Sequence, residues 1–262
     1  MARTPTRSPS VITANPEVVS PTHIRLMEIV GRAADEYGAP DLRLEGGTAL
    51  AAYYLGHRES EDLDFFGDTG LNAQHFRDAI VPLAEAEGFT MERLHSASRG
   101  FARVMARNQE TGVAVRLDFA ANSPFHLAPR ESTTEVVRVA SYRDICAGKL
   151  HAICDRFEPR DFVDLHVILT RGAHRNDAGD PRTRFRSLLR DLFETDPGLD
   201  ALLVGGGLMQ ARDRPILSAF PLRVLVPIEE ADIQGTIRMC AAVCVEMSAQ
   251  QIPETLGPPP ST

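Results

Sequence analysis

Gly46-Gly47-Thr48-Ala49-Leu50 and, shortly after it, His57-Arg58-Glu59-Ser60-Glu61-Asp62-Leu63-Asp64-Phe65-Phe66 carry the strongest signal in the chain. Asp62 and Asp64 alternate with the apolar Leu63 and Phe65. In a strand, residues i and i+2 project from the same face, so the pattern predicts two carboxylates side by side on one surface of a sheet. Such a pair supplies the hard oxygen ligands that Mg²⁺ takes. The Gly-Gly-Thr turn just upstream, entering a helix, offers backbone N–H groups to phosphate. These residue types at this spacing point to metal-assisted handling of a nucleoside triphosphate.

Outward from this stretch, local signals alternate between strand and helix. Leu42 and Leu44 alternate with polar neighbours and predict a short strand leading into the turn. The helix after the glycines runs from about Thr48 to Tyr54, with Gly56 as its stop. Ser20-Pro21 opens an earlier helix through Ile24, Met27, Val30 and Ala34. Asn72 caps a helix to about Glu87, which Pro82 is expected to kink or shorten. Phe89 to Leu94, Phe101 to Arg107 and Val113 to Phe119 then read as strands. In the last of these, Val113, Val115, Leu117 and Phe119 share one face, and Ala114, Arg116 and Asp118 the other. Thr134 to Ala140 is expected to form a further strand.

After Ala140 the pattern becomes helical. Ser141 with Asp144 resembles a capping box for a helix to about Phe157, which Glu158-Pro159-Arg160 breaks. A second helix spans Asp161 to about Thr170, and the longest covers about Glu229 to Gln250. The expected fold class is α/β (α+β): a mixed half with a small sheet, then a mostly helical half. The expected domains are a disordered tail at 1–17, a sheet domain at 18–140, a helical domain at 141–252 and a second tail at 253–262.

Composition narrows the function classes. Of 262 residues, 43% are hydrophobic and 24% charged, with a formal net charge of -8, which argues against an all-over nucleic-acid binder. No apolar run approaches the roughly 20 residues that span a bilayer, and the first residues lack the apolar core of a signal peptide. The chain is therefore expected to be cytoplasmic, with no membrane partner. Cys146 with Cys154 and Cys240 with Cys244 stand at helical spacing, and buried free thiols are expected rather than a zinc site. Arg171, Arg175, Arg182, Arg184, Arg186 and Arg190 make one local basic segment, either a solvated face or a docking surface for RNA phosphates.

Nucleotidyl transfer needs a gripped triphosphate, two bridging metal ions and a base for the attacking hydroxyl. Asp62 and Asp64 supply two carboxylates, and Asp118 is the candidate third, its other reading being a strand-end aspartate facing water. Gly46, Gly47, Thr48 and Ser60 are candidate phosphate donors. Arg58 can pair with phosphate or with a site carboxylate. Lys149, mid-helix among Ile145, Cys146, Leu150 and Ile153, either snorkels to water or reaches the triphosphate. Asp161 and Asp164 open the next helix, where capping alone would explain them. His151 and His166 are expected to be structural.

The Gly46–Leu50 and His57–Phe66 stretches resemble the first motif of the AbiEii/AbiGii-type nucleotidyltransferase toxins. Lys149-Leu150 resembles that family's lysine motif, and Arg160-Asp161-Phe162-Val163-Asp164-Leu165 its RDxxDL motif. The resemblance covers roughly residues 40–170. It implies a DNA polymerase-β-like nucleotidyltransferase domain followed by a helical domain, and metal binding by Asp62 and Asp64. It also implies triphosphate contact by Lys149 and a catalytic or structural role for Asp161. The expected activity is Mg²⁺-dependent transfer of a nucleoside monophosphate from a triphosphate to an acceptor, foremost the acceptor end of tRNA. The expected setting is a toxin–antitoxin or phage-defence pair with a separate antitoxin protein. A small-molecule or protein acceptor and an inactive nucleotide-binding regulator are the alternatives.

Overall fold

The computed structural model describes residues 11–122, 125–172, 179–219 and 222–251. The chain divides into two compact units, Met1–Ile145 with Arg223–Val226, and Cys146–Leu222 with Pro227–Thr262. They are called units 1 and 2.

Unit 1 is built on a mixed sheet of eight strands: β1 (Val11–Ile12), β2 (Arg43–Glu45), β3 (Asp62–Asp68), β4 (Phe89–Ser98), β5 (Phe101–Asn108), β6 (Ala114–Asn122), β7 (Glu131–Thr133) and β8 (Arg138–Val139). Their order across the sheet is β1-β7-β8-β2-β3-β6-β5-β4. The long central strands alternate cleanly. Leu63 and Phe65 on β3, Ala102 and Val104 on β5, and Val115, Leu117 and Phe119 on β6 are all 0% exposed. Helices α1 (Pro21–Glu36) and α3 (Ala73–Ala86) add Leu26, Ile29, Val30, Phe76, Ile80 and Ala84 to this core. Phe119 stacks on Phe65 and meets Phe76 edge-on, each with ring centroids 5.4 Å apart. One face of the central strands is thereby closed, and their polar residues are left on the other.

Several expectations need correction. The tail expected over 1–17 ends sooner: Val11–Ile12 pairs in parallel with β7, and Asn15 N–H donates to the Ala52 carbonyl at 2.8 Å. Ala14 and Val18 are buried, so apolar contact and edge-strand pairing order this segment. Residues 1–10 and 252–262 lie outside the described residues. The strand expected over Thr134–Ala140 is instead the antiparallel pair β7 and β8, joined by a tight turn with Val136 at φ 66°. Val113 falls before β6 and is 38% exposed. Pro82 lies inside α3 without ending it. Arg223–Val226, expected in the helical domain, belongs to unit 1. Glu59 N–H donates to the Arg223 carbonyl at 2.9 Å, and Leu225 N–H to that of His57 at 2.8 Å.

In unit 2 the described helices are α4 (Tyr142–Asp155, within which the division falls), α5 (Pro159–Thr170), α6 (Pro181–Thr195), α7 (Ala201–Met209) and α8 (Glu230–Gln251). Asp180 caps α6 through Thr183 N–H and Asp200 caps α7 through Leu203 N–H, both at 2.9 Å. The four cysteines form no disulfide, and burial pushes the Cys154 thiol up to about 11 and the Cys244 thiol up to about 12. His151 meets Asp196 at 3.1 Å, and His166 meets Thr236 at 2.8 Å. Among the described residues, no helix is long and apolar enough to cross a membrane.

Candidate active site

The polar face of unit 1 is assembled by register. β3 and β6 run parallel with Asp62 opposite Arg116 and Asp64 opposite Asp118. β2 runs antiparallel on the other side of β3, with Glu45 opposite Asp64. β5 flanks β6 with Arg103 opposite Asp118. Paired residues of adjacent strands share a face and lie about 5 Å apart. Glu45, Asp64, Asp118 and Arg103 therefore form one row across four strands, with Asp62 and Arg116 in the next.

The arginines engage two of the carboxylates. Arg103 grips Asp118 with two parallel bonds, Nε to Oδ1 and Nη2 to Oδ2, both at 2.6 Å. This bidentate pair holds the Arg103 guanidinium above its ordinary pKa. Arg116 Nη2 donates to Asp62 Oδ2, while its Nε lies 3.7 Å from Asp118 Oδ2. That Nε is buried and has no hydrogen-bond partner. Arg116 thus bridges Asp62 and Asp118. Glu45 pairs with the buried Arg43 at 2.7 Å, and burial raises its carboxyl above the usual range against the pull of that arginine.

The glycine turn is fitted to this row. Gly46 and Gly47 open α2 (Gly46–Leu50), which continues as a π-helical turn over Ala51–Leu55 and stops at Gly56 in the left-handed region. Gly46 has φ 71°, and a Cβ there would stand 2.5 Å from Asp64 Oδ2. A Cβ on Gly47 would collide with the guanidinium of Arg58. Only glycine lets the turn lie against both side chains. Thr48, expected as a phosphate donor, directs its hydroxyl inward to Ser60 Oγ (2.6 Å) and the Asp62 carbonyl, and is 1% exposed. Its side chain ties the turn to β3. Arg58 is 2% exposed and donates to the Glu59 carbonyl at 3.0 Å.

Lys149, expected to snorkel or to meet a triphosphate, is 6% exposed, with Nζ 2.8 Å from Asp161 Oδ1 and 2.7 Å from Asp164 Oδ2. Both aspartates are 0% exposed, so they do more than cap α5. Of the basic segment, Arg182 and Arg186 both pair with Glu246, Arg184 donates to the Leu169 carbonyl at 2.9 Å, and Arg175 lies outside the described residues. Sequence reasoning missed Glu45, Arg43 and Arg103 and gave Arg116 no role. The alternation around Arg103 in Phe101-Ala102-Arg103-Val104 shows its face, but nothing local shows its cross-strand partner.

Among the described residues, no group of three or more His, Cys, Asp or Glu side chains is set to hold a metal ion as the side chains stand. The donor chemistry nonetheless suits a hard divalent cation. Asp62, Asp64 and Asp118 offer only oxygen and sit on one face in adjacent strands, and Asp64 lies against the Gly46 turn.

A family model described as nucleotidyl transferase AbiEii toxin, Type IV TA system, matches residues 29–243. Among solved structures, the chain is similar to MenT4, a nucleotidyltransferase toxin from Mycobacterium tuberculosis, with 16% identity and a TM-score of 0.53 over 87% of this chain and 84% of that one. It also matches JHP933 from Helicobacter pylori with 20% identity and a TM-score of 0.47, over 89% and 96% of the two chains. At such identities the MenT4 likeness speaks for the fold alone. A comparison with curated proteins gave no match.

Proposed function

The chain belongs to the AbiEii family of nucleotidyltransferase toxins, and from that premise we propose that the carboxylate row of unit 1 transfers a nucleoside monophosphate from a triphosphate to the acceptor end of tRNA. The carrying observation is the register that sets Asp64 beside Asp118, with Asp62 on the same face and Gly46 against Asp64.

In this reading Asp62, Asp64 and Asp118 would hold two Mg²⁺ ions, and these would supply positive charge to the attacking and leaving oxygens of in-line displacement. The backbone N–H groups of Gly46, Gly47 and Thr48 face the phosphates, since the first turn of a helix leaves its donors unsatisfied. Ser60 supports that turn through Thr48, and the buried Arg58 packs its guanidinium against Gly47. The acceptor hydroxyl attacks the α-phosphorus, Asp118 receives its proton, and pyrophosphate departs. Lys149, Asp161 and Asp164 act as a charged clamp between α4 and α5. A separate antitoxin protein is the proposed partner.

The pairing of Arg182 and Arg186 with one glutamate reduces the basic segment and favours a second reading, a small-molecule acceptor at the same centre. One assay separates them. Purified protein is incubated with Mg²⁺, each labelled triphosphate and total tRNA, beside an Asp62→Ala/Asp64→Ala control. Label on tRNA with the wild type alone supports the first reading. Triphosphate binding without tRNA labelling moves the assignment to a small acceptor, and neither binding nor labelling would falsify both.

A further inference from the structure

Arg103 and Arg116 belong to no motif that the sequence singled out, yet they take up the carboxylate oxygens of the proposed centre. Both oxygens of Asp118 are engaged by Arg103 at 2.6 Å. Asp62 is engaged by Arg116, whose buried Nε is left without a hydrogen-bond partner 3.7 Å from Asp118. The two guanidinium groups thus sit among the carboxylates with the charge a cation would bring. Their side chains are 34% and 31% exposed, against 12% for Asp118 and 18% for Asp62. Partly exposed arginines on long stems can swing into water, and a divalent cation and phosphate together replace the bonds that the forked pair gives up. Arg103 also lies 5.5 Å from the centre of the Phe101 ring, a surface along which the guanidinium is stabilised.

We infer that Arg103 and Arg116 are exchangeable counter-ions of this centre: they compete with a divalent cation for the oxygens of Asp118 and Asp62, and once displaced they turn their guanidinium forks to the phosphates of the triphosphate. The inference rests on the metal-site reading above. Its physical content is an exchange of partners in which no charge is left unpaired. Carboxylates pass from guanidinium to metal, and guanidinium passes from carboxylate to phosphate, its other preferred bidentate partner.

The test reads cation binding directly, with Mn²⁺ alone as the probe and free Mn²⁺ followed by electron paramagnetic resonance on the full chain. Arg103→Gln is expected to bind Mn²⁺ about fivefold more tightly than the wild type, with Arg116→Gln shifted in the same direction. Arg103→Lys, which keeps the charge and loses the fork, is expected to fall between wild type and Arg103→Gln. In the presence of Mg²⁺, affinity for a non-hydrolysable triphosphate is expected to fall in Arg103→Gln, the opposite sign. Unchanged or weaker Mn²⁺ binding in both glutamine variants overturns the competition. An Arg103→Lys affinity equal to the wild type also overturns it, because a field effect would then suffice. Unchanged triphosphate affinity overturns the handover. Asp64→Asn, which removes a proposed ligand and leaves Arg103, Arg116, Asp62 and Asp118 in place, is the separate control. If it keeps wild-type Mn²⁺ binding, the metal-site reading itself falls, whatever the arginine variants show.

Discussion

On the sheet of unit 1, Asp118 and Asp62 meet arginines that are 34% and 31% exposed; in unit 2, Lys149 meets Asp161 and Asp164, both at 0%. The residue types are nearly the same, but the surroundings differ. Water reaches the arginines of the first cluster, so their partners can be exchanged more readily than those of a buried lysine. In the second the lysine and both carboxylates are buried, with only Arg156 reaching Asp161 from the surface, so the lysine cannot leave cheaply. A charged cluster at a polar sheet face is suited to ligand exchange, whereas one between helices is suited to holding them together.

The sharpest way to break this contrast is to remove the lysine. Lys149→Met removes the cation shared by the two buried aspartates, leaving Arg156 at 3.5 Å from Asp161, and is expected to lower stability by about 3–5 kcal/mol, read by urea unfolding. A loss under about 1 kcal/mol would show that water reaches that cluster after all. On the sheet, Asp64→Asn is expected to cut nucleotidyl transfer at least about a hundredfold, close to 3 kcal/mol of barrier, while the unfolding midpoint stays put. Matching losses of activity and stability would make the sheet cluster structural too.

Gly46→Ala comes next. It forces a side chain into φ 71° and against Asp64. The expected cost is about 1–3 kcal/mol, together with weaker triphosphate binding. A variant as stable and as tightly binding as the wild type would separate the turn from the carboxylates.

The smallest effect concerns pH, through the buried His23 in unit 1 and the half-buried His166 in unit 2. Burial holds His23 in unit 1 and His166 in unit 2 below their ordinary pKa of 6.5. The unfolded chain therefore takes up protons more readily than the folded one. The stability these neutral rings contribute is complete above pH 6.5 and is lost as the pH falls through the folded-state values. Replacing either with glutamine should flatten the decline below pH 6.5, and an unaltered slope in both variants would remove histidine as its cause.

Much of the centre is legible along the chain. The alternation Asp62-Leu63-Asp64-Phe65 puts both carboxylates on one face whatever strand lies beside it, because the strand period is two. The glycine pair is legible as a turn, although the two reasons for it, Asp64 and Arg58, are not. The helix starts at Asn72 and Ser141 are local chemistry, and the structure keeps both caps. Less legible are the short elements. β1, β7 and β8 are too brief to show a period, and exist because neighbouring backbone offers them partners.

By itself the sequence determined the faces and the family motifs: which residues of β3 and β6 point away from the core, where helices begin, and that a glycine turn precedes the carboxylates. Only the tertiary structure decided the neighbours. Asp118 stands beside Asp64 because β6 pairs in parallel with β3, past the intervening β4 and β5. Arg103 reaches Asp118 only because β5 settles on β6 in that register, and Lys149 meets two aspartates only because α4 lies against α5. Periodicity and capping act over a few bonds and are written locally. Register and helix packing are set by the whole core closing at once, so the partner of each charge is settled only when the chain has folded.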